Sequence, residues 1–188
     1  EKEKKDLYIE GVQNNGIINH YEYIINSEGT IEIRHVLKPE GKMPLWFPRI
    51  GLTLTVSDAL DQVKWYGRGP QENYPDRKTG YPTGIYASTV QAMYEPYLMP
   101  QDYGLRTDVR WLQLTTDKGI GLQFKMNEWF NFNIYPYSTD NLTKAMYTYQ
   151  LQKQKGMTLN LDYATTGVGC TARGVFGAYK AMPQEYRR

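Results

Sequence analysis

The sequence predicts an all-β fold in which antiparallel sheets pack face to face. Three observations carry that prediction. Apolar and polar residues alternate with period two in run after run, turns bearing glycine separate the runs, and helical spacing occurs once. An antiparallel sheet with one buried face produces this alternation, and two such sheets can cover each other's apolar faces.

The runs are read in order. Thr30–Leu37 sets Ile31, Ile33 and Leu37 on one face, with Glu32 and Arg34 on the other. Leu52, Leu54 and Val56 alternate with Thr53 and Thr55. Ile120, Leu122, Phe124 and Met126 alternate with Gly121, Gln123 and Lys125. Met157, Leu159 and Leu161 alternate with Thr158, Asn160 and Asp162. Asn14-Asn15-Gly16, Ser27-Glu28-Gly29 and Asp117-Lys118-Gly119 each put glycine where a hairpin needs positive φ. Val109–Met126 therefore reads as two strands joined by Thr116-Asp117-Lys118-Gly119. The helical signal is Leu142, Ala145, Met146 and Tyr149, at i, i+3, i+4 and i+7. It follows Ser138-Thr139-Asp140, any of which can cap, and predicts about three turns at most. Between Gly67 and Gly104 the periodicity fades and Pro, Gly and Tyr accumulate. So long an irregular stretch reads as functional or interface-forming loop. No repeat, linker or low-complexity tract appears, so residues 1–188 are read as a single domain.

Composition narrows the function classes. Hydrophobic residues make up 40% and charged residues 22%, as in soluble globular chains. No apolar run approaches the roughly 20 residues of a membrane span. The charged start Glu1-Lys2-Glu3-Lys4-Lys5 precedes no apolar h-region, so no signal peptide is read. It lacks an initiator Met, as a fragment or processed chain would. A net charge of +2 argues against nucleic-acid binding, which needs a clustered basic surface. Cys170, the sole cysteine, excludes an internal disulfide. The 17 tyrosines and 4 tryptophans suit surfaces that stack on sugars or on protein, but strands also use Tyr freely.

The candidate chemistry is sparse. Glycoside hydrolysis needs two carboxyl groups flanking the scissile bond. Glu72, Asp76, Glu95 and Asp102 are available in the loop-rich middle, either as such a pair or as carboxylates that pin loops by hydrogen bonding. His35 lies on the apolar parity of its strand and is read as structural, though a His beside a carboxylate can run acid–base chemistry. With His20 and Cys170 far away in sequence, no zinc pattern forms. Gly167-Val168-Gly169 lacks the third glycine and the helix of a dinucleotide site. Asn141-Leu142-Thr143 fits a glycosylation sequon, a pattern that also arises by chance.

Trp65-Tyr66-Gly67-Arg68-Gly69-Pro70-Gln71-Glu72-Asn73-Tyr74-Pro75-Asp76-Arg77 is far more particular. It resembles the Gly-Pro-x-Glu-Asn-Tyr-x-Asp-Arg segment of the small-chain domain of LacZ-type β-galactosidases, glycoside hydrolase family 2. Three further matches follow in step. They are Met93–Tyr97 with Pro100–Arg110, Phe132-Asn133-Ile134 with Pro136-Tyr137-Ser138, and Leu159–Asp162 running to Gly167-Val168-Gly169. The resemblance covers most of the chain from Tyr66 onward and is less distinctive before Leu60.

It implies a galactose-mutarotase-like supersandwich, and a role as C-terminal accessory domain of a retaining β-galactosidase acting on terminal β-D-galactosides. The catalytic glutamates would then lie in a separate TIM-barrel domain of the same polypeptide. The whole enzyme would carry Mg and Na, form a homo-oligomer and reside in the bacterial cytoplasm or periplasm. No cofactor, nucleic-acid or membrane partner is assigned to this chain. In that family a Trp after the Gly-Val/Ile-Gly turn stacks on the sugar. Counting places Gly174 at that position with Arg173 beside it, so these two are the substrate-binding candidates. Arg173 can supply hydrogen bonds in place of the ring, or simply face solvent. The resemblance also implies that Pro183–Arg188 leads into the family's last strand. The competing readings are a free-standing carbohydrate-binding module, which an exposed aromatic stripe would favour, and a mutarotase-type aldose epimerase.

Overall fold

The computed structural model describes residues 5–9, 15–169, 180–181 and 186–187. Their regular structure is antiparallel strand apart from one short α-helix and one 3-10 turn, the all-β class that the alternation predicts and the class of an antiparallel β-sandwich. The chain divides into two compact units, residues 1–48 with 180–188, and residues 49–179.

The first unit is a four-stranded antiparallel sheet, β1 (Lys5–Ile9), β2 (Asn15–Ile25), β3 (Ile31–Gly41) and β10 (Tyr186–Arg187), in the order β1-β2-β3-β10. The predicted Ser27-Glu28-Gly29 turn closes β2 onto β3. Gly29 adopts φ 82°, and the Asn26 amide donates to the Thr30 carbonyl at 3.1 Å. His35 and Leu37 are buried while Glu32 and Arg34 are exposed, so the parity read from the sequence holds toward the end of the run, but Ile31 beside the turn is 59% exposed. The His35 ring lies flat on Tyr21, directly across in register, with centroids 4.2 Å apart. Burial pushes its pKa down to about 4, so it is neutral at pH 7. A depressed histidine pKa removes stability as pH falls from the free value toward 4.

The second unit holds β4 (Arg49–Val56), β5 (Gln62–Arg68), β6 (Thr83–Thr89), β7 (Arg106–Thr115), β8 (Gly121–Tyr135) and β9 (Met157–Thr165). Their order is β4-β9-β8-β7-β5-β6, antiparallel at every step. The β7–β8 hairpin turns where predicted, with Gly119 at φ 77° and its amide donating to Thr116 at 3.0 Å. Trp65, Val109, Leu112, Leu114, Phe130, Phe132, Ile134 and Leu159 form the core on one face. β7 shifts register between Val109 and Trp111. That bulge keeps Val109 and Leu112 both buried and leaves Arg110 and Trp111 both less buried between them.

Two expectations need correction. The helix α1 spans only Thr139–Lys144, capped by the Ser138 hydroxyl, which accepts from the Asn141 amide at 3.0 Å. Ala145 is already extended at ψ 125°, and Met146 and Tyr149 are exposed, so the helical spacing beyond Ala145 is coincidental. Thr158, Asn160 and Asp162 in β9 are buried, not solvent-facing. Side-chain hydrogen bonds take the place of water there. Asn160 binds Asn133 at 2.8 Å and the Tyr135 hydroxyl at 3.1 Å and accepts from Thr53, while Thr158 donates to the Tyr137 carbonyl.

Candidate functional site

The irregular segment after β5 is ordered by one buried carboxylate. Glu72 is 5% exposed and accepts from the Gly104 amide at 2.8 Å, Arg77 at 2.7 Å, the Tyr74 hydroxyl at 3.2 Å and the Tyr97 hydroxyl. Burial alone would raise this carboxyl. The bonds from Tyr97, Gly104 and Arg77 outweigh it and hold the group below its ordinary value. Its neighbour Asn73 is fully buried and accepts from both the amide and the hydroxyl of Thr107, at 3.1 and 2.5 Å. The loop at 70–77 is thereby tied to the strand start at 104–107.

Asp108 is a second hub. It takes Arg68 at 2.5 Å and Lys78 at 2.9 Å, and these ion pairs overcome burial to lower its carboxyl. Asp108 adopts φ 55°, an αL conformation that short polar side chains tolerate.

A third tie reaches across the chain. The Asp76 carboxylate accepts from the amides of Val168 at 3.1 Å and Gly169 at 2.7 Å. A Cβ on Gly167 would sit 2.3 Å from that carboxyl carbon, so only glycine lets the turn approach so closely. Replacing Asp76 with Ala should free both amides. Their hydrogen exchange is expected to quicken about tenfold or more, while the Phe132 and Leu159 amides in the core keep their rates.

The four sequence segments singled out by resemblance are therefore wired together. Tyr97 and Gly104 meet Glu72, and Asn133 donates to Asp102 at 2.9 Å and to the Tyr103 carbonyl at 3.0 Å. Asn160 closes on Asn133, and the 167–169 turn closes on Asp76. The family profile for the β-galactosidase small chain matches residues 3–187.

The chain belongs to the β-galactosidase small-chain family. A β-galactosidase of Priestia megaterium is 38% identical over 147 residues, 78% of this chain and 14% of the relative. One of Vibrio cholerae is 39% identical over 122 residues, covering 65% and 11%. One of Pseudoalteromonas haloplanktis is 34% identical over 148 residues, covering 78% and 14%. The chain thus spans about one seventh or less of the length of these relatives.

Within the family's small-chain fold three of the four candidate carboxylates serve as ties. Glu72 is saturated with donors, Asp76 holds a turn, and Asp102 holds Arg49 at 2.6 Å and Asn133. Glu95 is half-buried, and burial followed by the charge of Glu72 raises its carboxyl. Among the described residues no three His, Cys, Asp or Glu side chains gather into one cluster. Also among the described residues, no helix is long and apolar enough to cross a membrane. Arg173 and Gly174 lie outside the described residues.

Sequence reading missed the hubs at Asn73, Asp108 and Asn133. A signal was present: Asn131 and Asn133 interrupt the apolar run from Phe130 to Tyr135, and a polar residue amid such a run marks a buried network.

Proposed function

We propose that the chain is the accessory domain of a β-galactosidase that hydrolyses terminal β-D-galactosides, and that it borders the active site of a separate catalytic barrel in the same polypeptide. The observation that carries this reading is the Asp76 clamp on Val168 and Gly169, because the segment holding Arg173 and Gly174 begins at the next residue. A loop that contacts substrate needs a rigid base, and the hubs at Glu72, Asp108 and Asp76 supply one. In this reading the hydrolytic carboxylates come from the barrel, as do the Mg and Na sites, and the whole enzyme is a homo-oligomer.

An outward row on the six-stranded sheet supports docking to a second domain. Tyr66 stands opposite Trp111 in register, and Arg110 lies 5.1 Å from the Tyr66 ring centre and 4.1 Å from that of Trp129, which is 58% exposed. Tyr, Trp and Arg are the residue types that anchor protein interfaces. The epimerase reading loses support, since His35 is 1% exposed and its ring is covered by Tyr21.

Arg173 is the proposed hydrogen-bonding contact to the sugar, with Gly174, next to it in sequence, as the second substrate-binding residue. Replacing Arg173 with Ala in the full-length enzyme is expected to raise KM for a chromogenic galactoside about tenfold. An unchanged KM removes Arg173 from the site.

A further inference from the structure

We propose that two copies of this chain associate through β6, pairing antiparallel about a twofold axis and joining their six-stranded sheets edge to edge. β6 closes one end of the strand order and is bonded to β5 on one side. No other strand among the described residues pairs with its open side. An antiparallel strand turns the amide and carbonyl of alternate residues to each side. The Val90 amide donates to the Asp61 carbonyl at 2.9 Å, one step past the Gln62–Thr89 pair, which fixes the phase. Thr83, Ile85 and Ala87 therefore present their amides and carbonyls to the open edge. That edge is bounded at both ends. The Pro82 carbonyl accepts from the Tyr86 hydroxyl at 2.9 Å, and the Thr89 carbonyl accepts from the Met93 amide at 3.0 Å. Ile85 is 62% exposed, and Tyr86, which packs on Trp65 with centroids 5.5 Å apart, is only half-buried.

Edge strands are ordinarily kept from pairing by a charged side chain, a proline or a bulge. β4, the other outer strand of this sheet, has Arg49 and a register shift between Ile50 and Gly51. β6 reads Thr-Gly-Ile-Tyr-Ala-Ser-Thr and keeps an unbroken register with β5. Among the described strands it alone has no Lys, Arg, Asp or Glu. That absence points to a second copy as the partner. Twofold pairing brings a strand against its own sequence, so a charge in it meets its like nearby, and like charges across strands repel. Centred on Tyr86, the pair sets Ile85 opposite Ala87 of the second copy and Tyr86 opposite its own counterpart. The two residues that face the open edge there, Ile85 and Ala87, then exchange about four main-chain hydrogen bonds with their mates. With β4 guarded, pairing at β6 closes at the dimer.

Sedimentation velocity on the 188-residue chain tests this. A dimer is expected with a dissociation constant on the order of 100 µM, as suits so short an edge. Ile85→Lys and Ala87→Glu, both at exposed positions, should each weaken the dimer at least about tenfold with Tm unchanged. Mixed in equal amounts, the two variants should regain it, because the register places the new lysine against the new glutamate. A chain that stays monomeric at about 500 µM overturns the proposal. So does a dimer that neither variant weakens, which marks association through another surface. A mixture of the variants that remains monomeric overturns the register and with it the pairing. No outcome bears on the accessory-domain reading, which rests on the Asp76 clamp and makes no use of β6.

Discussion

Glu72→Ala is expected to destabilise the second unit by about 3 kcal/mol or more, read from urea unfolding followed by tryptophan fluorescence. The carboxylate is buried, and its removal leaves the Gly104 amide and the Tyr74 hydroxyl, both inside the fold, without their acceptor. Removing the far partner should cost much less. The Arg77 side chain is 47% exposed, and Arg77→Ala is expected to cost under about 1 kcal/mol. The asymmetry separates a buried acceptor that several donors need from a surface ion pair. The pH dependence has a fixed sign. Glu72 and Asp108 are both held below their ordinary values, so their stabilisation is complete above the usual carboxylate range and is lost as pH falls through the lowered values.

Asp162 is expected to act in the opposite sense. Burial pushes its carboxyl up to about 7, because Arg49 approaches only to 3.7 Å and spends its closer nitrogen on Asp102 at 2.6 Å. Burial tends to lower Arg49, but Asp162 and Asp102 outweigh it and leave the guanidinium more basic. The two partners thus shift in ways that one tight pair would not produce. The geometry explains it, since Arg49 profits from two carboxylates while Asp162 receives a poorly placed half share. With a folded pKa near 7 and an unfolded one near 3.9, the native state binds the extra proton between those values. Stability from this group therefore falls as pH rises through that window. Asp162→Asn removes the charge and should be more stable than the parent at pH 8 by about 2–4 kcal/mol, with little difference near pH 4. Comparing the two proteins at each pH cancels the opposing contribution of His35. A variant less stable at pH 8 would mean that Asp162 is ionised and bound by Arg49.

Much of the fold was legible because sheet physics repeats. Ile31 to Leu37, Leu52 to Val56 and the Thr116–Gly119 turn follow from period two and a positive-φ glycine, which need only neighbours in sequence. β9 was legible as a strand but not in its burial. Whether Asn160 and Asp162 meet water or Asn133, Tyr135 and Arg49 depends on strands far away in sequence. The helix failed past Ala145 for a related reason. Spacing promised a stripe, but with Met146 and Tyr149 left exposed there was no apolar face to bury, and short helices are stable only when packed. The carboxylates of the loop were visible as residue types. Their function as ties was not, because Glu72 meets Gly104 and Asp76 meets Gly169 only through the fold.

The most direct measurement is a chromogenic galactoside assay on the 188-residue chain alone and again after adding the remainder of a full-length β-galactosidase truncated before this domain. The chain alone is expected to show no turnover, the truncated partner little, and the mixture a clear gain, with Asp76→Ala weakening that gain. Turnover by the chain by itself would contradict the accessory role and return Glu95 and the other loop carboxylates to consideration as catalytic groups.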